Sequence, residues 1–178
     1  YVNQGIALGM CRLAIVEIAA GKQPASDARE SIHLVFNGEI YNYRELREEL
    51  IQNGIIFFTD SDTEVLLNIF AHELQTQAKP AFDYEDIFTA VRAVHKRCKG
   101  GYAVIAMIMG KGILAFRDPF GIRPVVYGKR ETEQGTEYMV ASESVALQAQ
   151  GFELVRDVEP GEAIFISEDG QLYSRQCA

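Results

Sequence analysis

Arg12 interrupts an otherwise apolar stretch, between Cys11 and Leu13. A guanidinium buried there must be paired, and its planar fork fits a carboxylate, including that of an amino acid. The alternative, which composition alone favours, is an arginine on an exposed strand face or in a structural ion pair. Asn37, Gly38 and Glu39 close a second apolar stretch. A side-chain amide beside a backbone N–H can stabilise an oxyanion, because both donors are in place before charge develops. Asn-Gly is also the strongest tight-turn dipeptide, and read singly the turn is the better reading. Asp62 falls in the first turn of a helix, beside Ser61 and Glu64. Its carboxylate can hold an ammonium group, yet an acidic residue within a capping box needs no ligand to explain it. Each signal alone is weaker than its structural alternative. Together they supply a cation for a carboxylate, an anion for an amine and a donor pair for an oxyanion. That set binds an α-amino acid and attacks its side-chain amide; it lacks a nucleophile.

The elements that must position these groups follow from the pattern. Residues 6–18 read as a strand with Gly9 a bulge, residues 21–30 as a loop, and residues 31–36 as a strand ending in a turn at Asn37-Gly38. A helix runs from Asn42, capped with Glu45 and stopped by Gly54, with Leu46 and Leu50 one turn apart. Residues 55–58 read as a short strand. The helix behind Ser61 carries Val65, Leu66, Ile69, Phe70 and Leu74 on one stripe. After a polar break at 75–82, a third helix spans about 86–99, with Ile87, Val91 and Val94 inward, and stops at Gly100-Gly101. Residues 102–109 form a nearly continuous apolar run, as in a strand covered on both faces. Strands at 113–118, around 125–129 and 136–142, a short helix at 142–150 and a terminal hairpin complete the chain. About eight strands and four helices, joined by short turns, predict an α+β fold of four αββα layers, two mainly antiparallel sheets with helices outside.

Composition excludes several functions. The 178 residues suit one domain, and 17 basic against 25 acidic residues leave a net charge of -8, unsuited to nucleic acid. The basic cluster at 95–99 closes a helix, where cations suit the dipole. No run of 18 apolar residues predicts a membrane span, and the N-terminus lacks the features of a signal peptide. Three widely spaced cysteines give neither a disulfide framework nor a zinc pattern, so a reducing, cytoplasmic setting is expected.

The strings GMCRLAIVEIAAGKQP, LVFNGEIYNYRELREEL and TDSDTEVLL, with GGYAVIAMIMGKGILAFRDPFGIRPVVYGKR, EYMVASESVAL and LVRDVEPGEAIFI, span nearly the whole chain. In them the sequence resembles the class II glutamine amidotransferases, which are N-terminal-nucleophile hydrolases. The first half is most similar to the glutaminase domains of asparagine synthetase-type enzymes, the second to those of amidophosphoribosyltransferases. The resemblance implies that Arg12 holds the glutamine α-carboxylate, Asp62 the α-amino group, and Asn37 with Gly38 the oxyanion. It also implies that Glu39 and the backbone of 13–16 line the same pocket. Arg117, Asp118, Gly121 and Arg123 then belong to a structural loop. Glutamine is the implied substrate, hydrolysed to glutamate and ammonia without a cofactor or metal. The implied partner is an ammonia-accepting synthase or phosphoribosyltransferase domain, in a full-length homo-oligomer. The longer likeness, over 100–178, favours phosphoribosyl diphosphate as acceptor and purine synthesis; the first half favours an aspartyl adenylate.

In that family the nucleophile is an N-terminal cysteine whose free α-amine serves as its base. This sequence starts at Tyr1, without the Arg-Gly segment that usually follows the nucleophile. Cys11, in mid-strand, offers no free α-amine, and Cys98 and Cys177 have no supporting pattern. The expectation is one type 2 glutamine amidotransferase domain over 1–178, lacking its nucleophile segment and first strand and inactive alone. The change of likeness near residues 60–70 points to a hybrid or recombined sequence. A non-catalytic glutamine-binding or interaction module is the competing class. A hydrolase for another amide fits less well, because paired carboxylate and ammonium contacts select a free α-amino acid.

Overall fold

The computed structural model describes residues 1–3, 5–11, 23–76 and 83–178. Eleven strands and four helices occur among the described residues. In chain order they are β1 (Val2–Asn3), β2 (Ile6–Ala7), β3 (Ala25–Ser26), β4 (Ile32–Ile40), α1 (Tyr43–Gln52), α2 (Asp62–Thr76), α3 (Tyr84–Arg97), β5 (Gly100–Ile108) and β6 (Gly112–Arg117). There follow β7 (Val126–Thr132), β8 (Gly135–Ala141), α4 (Ser144–Ala149), β9 (Glu153–Asp157), β10 (Glu162–Ser167) and β11 (Leu172–Gln176). Six strands form one sheet in the order β11-β10-β6-β5-β4-β3, and three form a second, β8-β7-β9; every pairing is antiparallel. Among the described residues, β1 and β2 pair only with each other.

Alternation along the strands builds the layers. Ile32, Leu34, Phe36, Val104, Ala106 and Phe116 turn to one face of the large sheet and pack with the apolar stripes of α1, α2 and α3. Ala103, Ala115 and Ile164 turn to the other face and meet Val125, Tyr127 and Val158. Leu147 of α4 packs with Val126 and Ala141 on the outer face of the small sheet. The fold is the α+β sandwich of αββα layers that the sequence predicts. No helix among the described residues is long and apolar enough to cross a membrane.

Several local expectations are corrected. The strand expected at 55–58 is a loop with Ile56 and Phe58 pointing outward, because the Glu64 carboxylate takes the N–H groups of Phe58 (2.8 Å) and Thr59 (2.7 Å). Those donors are therefore spent on the start of α2 instead of a ladder. The Ser61 cap forms only in part: its hydroxyl accepts from the Glu64 N–H at 3.2 Å. Asn42 makes no side-chain cap. Its amide instead ties α1 to the end of α3, donating to the Arg97 carbonyl (2.9 Å) and accepting from the Lys99 N–H (2.9 Å). α3 starts earlier than expected, at a capping box between Asp83 and Asp86, and Gly100-Gly101 open β5 instead of ending a helix in a turn. β1, β3 and β9 were not foreseen; of the strand expected at 6–18, only Ile6–Ala7 is strand among the described residues, and 12–18 lie outside them.

Behind the large sheet, His95 is buried and its Nδ1 lies 2.9 Å from the Tyr102 hydroxyl, while Nε2 has no partner among the described residues. Burial pushes the imidazole down to about 4, against a smaller opposing pull from Asp118. Unfolded chains take up this proton near 6.5, which the folded protein refuses until about 4. Stability is therefore expected to fall as pH drops across that window, by up to ~3 kcal/mol. Urea unfolding at pH 7 and pH 4.5 checks this: His95→Gln is expected to lose less stability between the two than the unsubstituted protein.

Candidate active site

β4 carries Asn37 and Gly38 through a strand, not a turn: they pair with Ala103 and Tyr102 of β5, and the ladder continues to Ile40 opposite Gly100. The local turn preference of Asn-Gly is overridden by this non-local pairing. Glycine is required at 38 by the close approach of the two chains. Its φ is +152°, and a Cβ there would lie 2.2 Å from the Gly101 carbonyl oxygen and 2.6 Å from Tyr102 Cα. Gly100 answers the same need from the other side, since a Cβ there would lie 2.0 Å from the Glu39 carbonyl oxygen.

The ladder also fixes where each N–H points. Tyr41 N–H donates to Lys99 (2.7 Å) and Met109 N–H to Ser31 (2.9 Å), which puts the hydrogen-bonded pairs with β5 at odd positions of β4. Even positions face the opposite edge. There Ile32 N–H donates to the Asp27 carboxylate (2.8 Å), Phe36 N–H to the Gln23 side chain (2.7 Å) and Ile40 N–H to Asp62 Oδ2 (3.0 Å). Gly38 lies between the last two, and no group among the described residues takes its N–H. An open backbone donor next to the Asn37 amide is the arrangement an oxyanion needs.

The Asn37 side chain projects from the inter-sheet face, where it lines a cleft of ≈ 510 Å³ with Cys11, Val35, Ala103, Met139 and Ser142. Asp62 opens α2 at the adjoining edge. Burial raises its carboxyl above the ordinary aspartate value; the Ile40 N–H opposes this and the charge of Glu39 adds to it. Glu39 itself is exposed and does not line the cleft. Arg12 and the backbone of 13–16 lie outside the described residues. The structure thus places Gly38 and Asp62 at one strand edge, with the Asn37 side chain on the adjoining inter-sheet face.

The three cysteines are free. Burial pushes the Cys98 thiol up to about 12 and that of Cys177 up to about 11, so neither is a thiolate at neutral pH. Cys11 is exposed on the cleft, with its nitrogen in a peptide bond.

Two residues support the site: Gln23, which the sequence did not mark, and Asp118, which the resemblance put in a structural loop. Gln23 holds the strand edge beside Gly38. Asp118, fully buried, holds the loop after β6: Oδ1 accepts from Phe120 (3.0 Å) and Ile122 (3.2 Å), and Oδ2 from Arg123 (3.2 Å) and Tyr102 (3.3 Å). Arg117 donates to the carbonyls of Arg123, Gly121 and Val158 at 2.7, 2.7 and 3.0 Å. The loop at 117–123 is structural, and through Tyr102 it braces the strand opposite Gly38.

Residues 1–171 match the family described as Glutamine amidotransferase domain. The chain is 56% identical to the amidophosphoribosyltransferase of Pseudomonas aeruginosa over 148 residues, 83% of this chain and 30% of that protein. With the amidophosphoribosyltransferase of Escherichia coli it shares 49% identity over 168 residues, covering 89% and 33% respectively. The solved glutamine phosphoribosylpyrophosphate amidotransferase of Bacillus subtilis, complexed with ADP and GMP, superposes with a TM-score of 0.68 at 30% identity, over 88% of this chain and 32% of that one. The chain spans about a third of the length of the curated relatives it matches.

Proposed function

The chain belongs to the glutamine amidotransferase domain family, and on that premise we propose that it is the glutaminase domain of an amidophosphoribosyltransferase of purine synthesis. The observation that carries the reading is the Gly38 N–H, without an acceptor among the described residues, beside Asn37, with Asp62 bonded two residues further along the same edge. A cysteine thiolate attacks the side-chain amide carbon of glutamine. The resulting oxyanion rests on Asn37 and Gly38, the C–N bond breaks, and protonated nitrogen leaves as ammonia. Water then hydrolyses the thioester to glutamate. Asp62 holds the α-ammonium and Arg12 the α-carboxylate throughout, and Glu39 adds negative charge beside the amine.

None of the three cysteines fits the role of nucleophile. Cys98 and Cys177 are held protonated, and Cys11 has no free α-amine to act as base. An electrophilic glutamine analogue added to the native full-length protein, followed by mass spectrometry, tests this. One adduct on a processed N-terminal cysteine is expected; an adduct on Cys11 would overturn it. The ammonia passes to a phosphoribosyl diphosphate acceptor domain in the longer, homo-oligomeric protein. Identity of 56% to an amidophosphoribosyltransferase over 83% of this chain supports this acceptor over the aspartyl adenylate; the relatives reported above do not bear out the expected asparagine synthetase likeness of the first half.

Asp62 must be ionised to hold an ammonium, and its carboxyl is raised by burial. The acid limb of kcat/KM for glutamine is therefore expected above the usual aspartate range, with activity lost as pH falls through it. Asp62→Asn is expected to raise KM by about 10- to 100-fold with a smaller change in kcat, the worth of one charge-assisted contact. Steady-state kinetics across pH reads both.

A further inference from the structure

Gln23 completes the edge of β4 as a substitute strand residue. Its Oε1 accepts from the Phe36 N–H at 2.7 Å and its Nε2 donates to the Phe36 carbonyl at 3.1 Å, with Thr63 Oγ1 of α2 at 3.5 Å. One side chain thus satisfies both backbone groups of one strand residue, as a neighbouring strand would. β3 reaches only His33 and Leu34, so Gln23 is what occupies the edge at 36. Asp62 occupies it at 40. Gly38 is left between them.

We propose that Gln23 is a positioning residue that sets the register of the amide substrate on β4. The Phe36 N–H points the same way as that of Gly38 and lies two residues, roughly 7 Å, along the strand. Left uncapped, it is a second donor of the same chemistry on the same edge, able to take a carbonyl oxygen out of reach of Asn37. With Gln23 and Asp62 in place, Gly38 N–H is the donor between them without an acceptor among the described residues. This rests on the glutaminase reading above and names a residue for it.

The test uses the native full-length protein with Gln23→Ala and Gln23→Met, assayed with glutamine and separately with ammonia as nitrogen source. Methionine keeps the length of the side chain and removes both hydrogen bonds. Both variants are expected to lower glutamine-dependent kcat and KM together by about 10-fold, as substrate bound in the wrong register is unproductive, with kcat/KM changed less than about threefold and ammonia-dependent activity unchanged. Wild-type kcat in Gln23→Met would show that volume alone matters and overturn the proposal. Equal loss of both activities in both variants would make Gln23 structural and overturn it too. If the unsubstituted protein releases no glutamate from glutamine while using ammonia, the glutaminase reading itself fails, and this role fails with it.

Discussion

Asn37→Ala is expected to lower the glutamine-dependent kcat of the full-length protein by about 10²- to 10³-fold, the cost of removing one donor from an oxyanion pair. The structure makes the substitution unusually clean. Asn37 keeps its backbone in the ladder with Ala103 and projects its amide into the cleft. Truncation leaves strand, sheet and core as they are, so stability should change little and ammonia-dependent activity should survive. Asn37→Asp should be at least as damaging despite its equal size, because an acceptor replaces the donor that faces the developing negative charge. Rates with the two nitrogen sources, measured on the same preparations, separate loss of the oxyanion donor from loss of fold.

Gly38→Ala is expected to fail differently, losing fold and activity together. The methyl group would sit 2.2 Å from the Gly101 carbonyl oxygen, and the obstacle is backbone, not a movable side chain. The positive φ adds to the cost. Either β4 and β5 separate at this point or Gly38 changes conformation and turns its N–H away from the edge. A loss of about 2–4 kcal/mol is expected, read as a fall in melting temperature of roughly 5–12 °C for a domain of this size. A variant that melts normally but has no glutaminase activity would place the effect on the donor alone. One that melts normally and stays active would contradict the packing described here.

Helical periodicity made α2 and α3 readable in advance. Val65, Leu66, Ile69, Phe70 and Leu74 are all buried, as are Ile87, Val91 and Val94. The continuous apolar run of β5 marked a strand covered on both faces, and from it the layered fold followed. The chemistry-bearing segment was harder to read because its conformation is decided far away in sequence. Asn37-Gly38 has the local signature of a hairpin, and only pairing with Ala103 and Tyr102, more than sixty residues later, keeps it extended. Asn42 similarly reads as a cap until the end of α3 draws its amide away. β9 escaped notice because Glu153, Arg156 and Asp157 give it a charged edge and its register with β7 is broken by an irregularity at Tyr127/Gly128. Gln23 has no local signal: its partner lies thirteen positions on, and the bond exists only because β3 stops short.

The most direct measurement is the release of glutamate and ammonia by the native full-length protein, given glutamine and, in parallel, analogues lacking either the α-amine or the α-carboxylate. Equimolar glutamate and ammonia from glutamine are predicted, with each truncated analogue slower by about 100-fold, since Asp62 or Arg12 would then be left without its partner. No release from glutamine, or equal rates with all three amides, would contradict the assignment of this strand edge as a glutaminase site.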